Sequence, residues 1–469
     1  MNRVTKRTWL MGLFILILLG GTVFFLFEYA AKAQKWVAFT GSPHVYNNSN
    51  IGTGTIVDRS GEVLLDIDTE RSYADSETTR KSTLHWLGDR KGFINASAVT
   101  NYAAQMVGFD LVNGVYAAQG EKGVAQLTIS AKVQNTALEA MGDRKGTVAV
   151  YNYKTGEILC AVTTPTFDPD NVPDIEEDTS GKYEGIYLNR FIQSTYIPGS
   201  IYKVVTTAAA LDCVDGIENK TFHCTGIKEY GTEKVSCETA HGTLNLKGAL
   251  ASSCNCSFAE IAELIGKKKM VSYVEKFGVA ESITFDGVTT AAGNYDVSNT
   301  APVSFAWSCI GQHTDQVNPA SFMTFMGAIA GGGTAAEPYL VANVSSGGET
   351  TYRAKTSRTD RIMSRDVAKT VQEYMRNNTQ IMYGDQNFPG LKVCAKSGTS
   401  QLGGSAISNA MFAGFVMNEE YPLAFMVVVE NGGYGANACV PVISKVLASC
   451  KTVLDAQQPI VSYAQNFLP

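Results

Sequence analysis

The chain is short of charge. Asp, Glu, Lys and Arg make up 17% of its 469 residues, against about 25% in an ordinary soluble domain. Apolar residues make up 45%, so a disordered or highly charged chain is excluded and a sizeable core is available. There is no basic surplus either: 38 Lys and Arg stand against 44 Asp and Glu, a net charge of −6. Nothing here would neutralise a phosphate backbone, and nucleic acid is not expected as a partner. With 13 Pro and 44 Gly and no internal repeat, collagen-like and Pro-rich low-complexity architectures are out. None of the 10 cysteines forms a Cys-x-x-Cys pair, so the usual zinc spacing is missing and no metal or cofactor is expected. A Gly-x-Ser-x-Gly elbow, a His-Glu-x-x-His helix and a Gly-Lys-Ser/Thr phosphate loop are also lacking. The five histidines, His44, His85, His223, His241 and His313, stand in no triad spacing and read as structural.

What is present begins at the N-terminus. Residues 9–27, WLMGLFILILLGGTVFFLF, carry no charge and are long enough to cross about 30 Å of hydrocarbon at ~1.5 Å per residue. Arg3, Lys6 and Arg7 precede the run, whereas Glu28, Lys32 and Lys35 follow it. The positive excess before it predicts a cytoplasmic N-terminus and an external remainder. Ala30, Ala31 and Ala33 offer a cleavage site for a secretory signal; the length of the run favours an uncleaved anchor. The division expected is a cytoplasmic tail (1–8), an anchor (9–30), a pedestal (36–140) and a larger domain (145–469).

The pedestal contains short turn-rich pieces such as GTGTIVDRSGEVLLD and no catalytic pattern. From Gly146, GTVAVYNYKTGEILCAVTTP reads as two strands around a Lys-Thr-Gly turn. Helical stretches follow Ser200 and Cys256. KVCAKSGT, NAMFAGFVM and YPLAFMVVVEN read as three strands, and VPVISKVLASCKTVL as a closing helix. The order predicts an α/β domain, a mixed sheet with helices on its faces. Most cysteines lie in apolar surroundings and read as small core residues. Cys224 and Cys237 differ: they flank GIKEYGTEKVS, a polar hairpin around Gly231, and are either a disulfide or two free thiols.

The best nucleophile lies in TYIPGSIYKVVTTAAALD. Pro198-Gly199 breaks the chain and a helix begins at Ser200, which puts Ser200 and Lys203, at i and i+3, on one face of its first turn. A neutral lysine amine there would serve as the base that a serine hydroxyl needs, and the helix N-terminus favours a developing oxyanion. Alone, Ser-x-x-Lys is a common coincidence. Here Ser253-Cys254-Asn255 and then Lys396-Ser397-Gly398-Thr399 follow in order, a set shared by serine β-lactamases and penicillin-binding proteins. With GTVAVYNYKTGEILCAVTTPTFDPD, NRFIQSTYIPGSIYK, SSCNCSF, IGQHTDQVNPASFMTFMGAIAGGG and FAGFVMNEEYPLAFMVVVENGG, the chain from about residue 120 to 469 resembles the transpeptidase domain of class B penicillin-binding proteins. The N-terminal anchor and short pedestal are similar to the smaller members of that class.

The resemblance implies an α+β fold like that of the serine β-lactamases, an antiparallel sheet flanked by helices with a helical subdomain. It implies a bacterial peptidoglycan D,D-transpeptidase, single-pass in the cell membrane and acylated by β-lactams. Ser200 would attack a D-alanyl-D-alanine carbonyl and Lys203 take its proton. Moving a lysine from about 10.4 to about 7–8 destabilises the charged form by ~4 kcal/mol, a task for burial and the like charge of Lys396. The backbone N–H groups of Ser200 and Thr399 would hold the oxyanion. Ser253 would relay a proton to the leaving D-alanine, Asn255 hold the peptide, and Lys396, Ser397 and Thr399, with Gly398 between them, grip the terminal carboxylate. Expected partners are stem peptides, an acceptor amine and a membrane glycan polymerase. Two look-alikes are set aside: Lys154-Thr155-Gly156 precedes the nucleophile and reads as a turn, and Glu373…Asn377 comes too late in the chain for a deacylating loop and reads as a solvated helix face. A penicillin-recognising hydrolase and a non-catalytic scaffold remain as alternatives.

Overall fold

The computed structural model describes residues 2–37, 39, 42, 46–47, 50–68, 70–107, 109–110, 114–115, 122–401 and 408–456. The N-terminal apolar run lies in one long helix, Asn2–Val37. Its stretch Arg3–Ala33 contains an 18-residue window of mean hydropathy 2.6, none of it buried, so it is long and apolar enough to cross a membrane. Helix Gly435–Asp455 is also apolar, but it packs on the strand Ser408–Val416 and the helix Ala131–Met141 and is a core helix.

A five-stranded antiparallel sheet organises the larger domain. Its order is Ile158–Thr164, Gly146–Asn152, Leu423–Val429, Ser408–Val416, Val393–Gln401. Side chains alternate between its faces. Val148 and Val150 point into a core with Val133, Ala137, Val446 and Leu447, on the side of helices Ala131–Met141 and Gly435–Asp455. Ala149 and Tyr151 point to the opposite core with Phe322, Met326 and the helical subdomain. Both faces are covered, so the central strands are apolar without a break. The Lys-Thr-Gly triplet sits in the turn between the first two strands, where Asn152 Oδ1 accepts from the N–H groups of Lys154 (2.9 Å) and Thr155 (3.1 Å). Glu373 lies exposed on the helix Arg365–Asn378.

The division expected near residue 140 is crossed in both directions. A second sheet runs Glu349–Arg353, Val341–Ser346, Val124–Leu127, Gly54–Val57, Val63–Ile67, Arg71–Tyr73, so its first two strands come from the larger domain. Pedestal helix Glu77–Leu87 in turn rests on the five-stranded sheet: Trp86 Nε1 donates to Ala161 O at 2.7 Å, and Arg80 pairs with both carboxylate oxygens of Asp168 at 2.7 Å. Asp286 ties the same parts together. Its Oδ2 accepts from the N–H groups of Leu340 (2.6 Å) and Val341 (3.1 Å) where the crossing strand begins, and its Oδ1 accepts from the pedestal's Tyr102 hydroxyl at 2.7 Å.

Removing that carboxylate strands three donors. Asp286→Ala is expected to cost ~3 kcal/mol and to lower the melting temperature by several degrees, read by differential scanning fluorimetry. The exposed Asp360→Ala should leave it unchanged.

Candidate active site

Ser200 sits at the entrance of the helical subdomain. The sequence reading put it in the first turn of an α-helix; the structure has a 3-10 turn, Gly199–Tyr202, before the helix Lys203–Cys213. In a 3-10 turn residues i and i+3 eclipse, which brings Lys203 Nζ to 3.1 Å from Ser200 Oγ. Gly199 makes the turn possible. Its φ is +56°, its N–H donates to Gly311 O at 2.7 Å, and a Cβ there would lie 2.5 Å from Thr399 O. Only glycine lets the strand carrying Thr399 come this close to the nucleophile.

The second segment joins helices Leu246–Ala251 and Asn255–Ile265. Ser253 holds a left-handed φ of +55°, a conformation that non-glycine residues keep only where their surroundings enforce it. The twist turns both its oxygens to Lys203: the carbonyl lies 2.6 Å and the hydroxyl 3.1 Å from Nζ. Asn255 Oδ1 lies 2.6 Å from the same nitrogen, and its Nδ2 donates to Ser236 O at 2.8 Å, which fixes the amide orientation. Two acceptors that can never donate, the Ser253 carbonyl and Asn255 Oδ1, therefore take two N–H groups of Lys203. A neutral amine then has a lone pair left for the Ser200 hydroxyl proton. Lys203 is fully buried, and burial brings its pKa down to about 7. That is a suitable value for a base at neutral pH.

The third segment is the edge strand Val393–Gln401. Lys396 reaches across to place Nζ 3.1 Å from Ser253 Oγ and 2.8 Å from Ser397 O. Both amines thus meet on one hydroxyl. Lys396 is pushed well below the ordinary lysine range, first by burial and then by repulsion from Lys203. The expectation that like charge would lower Lys203 is therefore redistributed: burial acts on Lys203 and the repulsion falls on Lys396. No carboxylate is hydrogen-bonded to Ser200, Lys203, Ser253 or Lys396 among the described residues.

All eight residues singled out from the sequence come together. Ser200, Ser253, Ser397 and Thr399 keep part of their surface open, while both lysines are sealed. Asn255 differs from expectation, since both ends of its amide bind protein, one of them the lysine. The Thr399 hydroxyl accepts from Gly435 N–H at 3.1 Å, and Gln312 Nε2 donates to Thr399 O at 3.2 Å. Sequence reasoning missed Tyr383. Its hydroxyl donates to Ser397 Oγ at 3.0 Å and accepts from Ser397 N–H at 2.8 Å, leaving the serine proton free to point at a ligand. It comes from a turn of π-helix, Thr379–Tyr383, with no motif to announce it. The hairpin Ile227–Tyr230/Glu233–Ser236 does bring Cys224 and Cys237 together, with Sγ atoms 3.7 Å apart as free thiols.

The family model of the penicillin binding protein transpeptidase domain matches residues 146–448. The chain is 28% identical over 347 residues to peptidoglycan D,D-transpeptidase PbpA of Mycolicibacterium smegmatis, covering 66% of this chain and 68% of that protein. It is 25% identical over 403 residues to stage V sporulation protein D of Bacillus subtilis, covering 81% of this chain and 59% of that one. Among solved structures, the D,D-transpeptidase domain of a peptidoglycan glycosyltransferase from Eggerthella lenta superposes with a TM-score of 0.73 at 25% identity, over 86% of this chain and 98% of that one. A ceftriaxone acyl-enzyme complex of penicillin-binding protein A from M. tuberculosis shares the fold, with a TM-score of 0.70 at 20% identity over 86% and 99% of the two chains. With more than half of its length matched by that family model, and three distant segments meeting at the Ser253 hydroxyl, the chain belongs to the class B penicillin-binding proteins.

Proposed function

We propose that the chain is a serine-type peptidoglycan D,D-transpeptidase that cross-links stem peptides through an acyl-enzyme on Ser200. One observation carries the reading: Lys203 has both N–H groups of its neutral form engaged and its remaining valence 3.1 Å from the Ser200 hydroxyl. Ser200 Oγ attacks the carbonyl of the D-Ala-D-Ala bond as Lys203 takes its proton. The C–N bond breaks, and the leaving D-alanine amine receives a proton through Ser253, which touches both lysines. An amine of a neighbouring stem peptide then attacks the ester, forming the cross-link and returning the hydroxyl proton to Ser200.

Electrostatics favours an anionic ligand. Among the described residues no carboxylate is hydrogen-bonded to either buried amine, so a substrate's terminal carboxylate arriving beside Lys396, Ser397 and Thr399 would favour the protonated form of Lys396 and accept its N–H groups. The backbone N–H groups of Ser200 and Thr399, brought near by the Gly199 contact, form the oxyanion site; one such donor is worth ~3 kcal/mol of barrier. Among the described residues no carboxylate is bonded to the nucleophile's partners to serve as a base toward water, which supports transfer to an amine over hydrolysis. The charge excess before the apolar helix supports an N-terminus inside and a catalytic domain outside the bacterial membrane, beside a membrane glycan polymerase. The acyl-enzyme that penicillin-binding protein A of M. tuberculosis forms with ceftriaxone supports β-lactams as inhibitors here.

Fluorescent penicillin is expected to label the wild-type chain at Ser200 and not Ser200→Ala, read by gel and by mass mapping of the adduct. Nitrocefin should be consumed once per enzyme; label on the Ser200→Ala protein, or rapid multiple turnover, would refute the reading. Tyr383→Phe leaves the Ser397 hydroxyl unheld and is expected to slow acylation about tenfold, the equivalent of one hydrogen bond. Ser397→Ala should slow it at least as much, and the double variant should be slowed by less than the product of the two single effects, because they share the contact between the two hydroxyls.

A further inference from the structure

Residues 221–245, beside the nucleophile, reach the core through few fully buried side chains, Phe222, Cys224 and Val235. They form two ribbons of four-residue strands, Thr221–Cys224 with Gly242–Asn245 and Ile227–Tyr230 with Glu233–Ser236, and most of these residues are exposed or half-buried. Two-stranded ribbons of this size are marginal in water without a staple. Yet the second ribbon supplies the Ser236 carbonyl that orients Asn255.

The staple is visible in the side chains. Cys224 ends one strand, Cys237 follows another, His241 precedes a third, and Cys254 caps the helix Asn255–Ile265. Their Sγ and ring nitrogen atoms all lie within 4.8 Å of one another. Cys224 Sγ is 3.7 Å from Cys237 Sγ and 3.5 Å from His241 Nδ1, and Cys237 Sγ is 3.8 Å from Cys254 Sγ. A tetrahedron with Zn–S of ~2.3 Å and Zn–N of ~2.0–2.1 Å has S–S edges of ~3.8 Å and S–N edges of ~3.5 Å. The three separations match those edges, and the sulfurs are much too far apart for a disulfide at ~2.05 Å. Further donors are aimed at the sulfurs, as around a metal-bound thiolate. The Ser257 N–H and hydroxyl approach Cys254 Sγ at 3.4 and 3.1 Å, and the Cys256 N–H approaches Cys237 Sγ at 3.4 Å.

We propose that Cys224, Cys237, His241 and Cys254 bind one zinc ion as a closed structural site that fastens the Ser253–Asn255 segment to the adjoining ribbons. Binding displaces three thiol protons to solvent and leaves Zn²⁺ with three thiolates and one imidazole. Thiolate and imidazole donors select zinc over magnesium or calcium, and four protein ligands leave no position open for substrate. This departs from the expectation of no metal, which rested on missing Cys-x-x-Cys pairs; here the ligands come from four separate strand and helix ends. Cys256, with Sγ 3.6 Å from Cys237 Sγ, lies just outside the set. The site stands independently of the catalytic reading.

The test is metal content. Full-length chain, purified in detergent with thiols reduced and dialysed against zinc and then metal-free buffer, is expected to hold about one zinc per chain by plasma mass spectrometry. His241→Ala and Cys224→Ser should each hold less than about 0.2, while Cys213→Ser, away from the cluster, keeps its full complement. Because those variants could fold poorly, cobalt is added to metal-stripped wild type, where visible bands of tetrahedral cobalt with thiolate charge transfer are expected. Folded wild type that holds no zinc and gives no such bands would overturn the proposal. So would copper or iron in zinc's place, full zinc content in the Cys224→Ser chain, or a Cys224–Cys237 disulfide in the peptide map.

Discussion

A lysine amine sealed from water, with two of its hydrogens already committed, is the constraint around which this active site is arranged. Lys203 cannot keep a proton cheaply where it sits, and burial brings its pKa to about 7. Its neighbours decide where its lone pair points. The Ser253 carbonyl and the Asn255 amide oxygen accept from it, which leaves its lone pair to the two hydroxyls at 3.1 Å, the nucleophile Ser200 and Ser253. The strained φ of Ser253 and the contact of Asn255 with Ser236 are the cost of holding those acceptors in place.

Close approach of backbone is the second requirement. The strand with Lys396 and Thr399 must lie against the turn with Ser200 so that oxyanion donors and carboxylate ligands flank the same point. Gly199, with a positive φ, leaves that contact free of a side chain, and Gly311, also at positive φ, lets its own backbone close on Gly199 and Tyr202. The strand is also held by Tyr383 and by Gly435, the first residue of the long core helix. The sheet, fully packed on both faces, holds these pieces rigid.

Much of this was legible in the sequence. The five strands, the closing helix and the three motifs could be read from apolar runs and from residue order. Their convergence could be stated only through resemblance, since no local pattern says that residues 50 and 143 positions apart share a hydroxyl. Three features were beyond a linear reading. Strands Val341–Ser346 and Glu349–Arg353 join the pedestal sheet because pairing across a fold follows edge availability and not chain order. Tyr383 acts from a π-helical turn that no spacing rule marks. The Cys and His groups near the second motif look scattered in sequence and meet only because two short ribbons fold back on themselves.

The account rests on Lys203 being neutral when Ser200 attacks, and the pH dependence of acylation tests that directly. The second-order rate constant for acylation of the wild-type chain by benzylpenicillin should fall about tenfold per pH unit in acid, as the amine takes up its proton. It should rise through a midpoint near 7 and level off above, since the free amine is then the prevailing form. A rate constant unchanged across neutral pH, or one that rises only near the pKa of an ordinary exposed lysine, would contradict it.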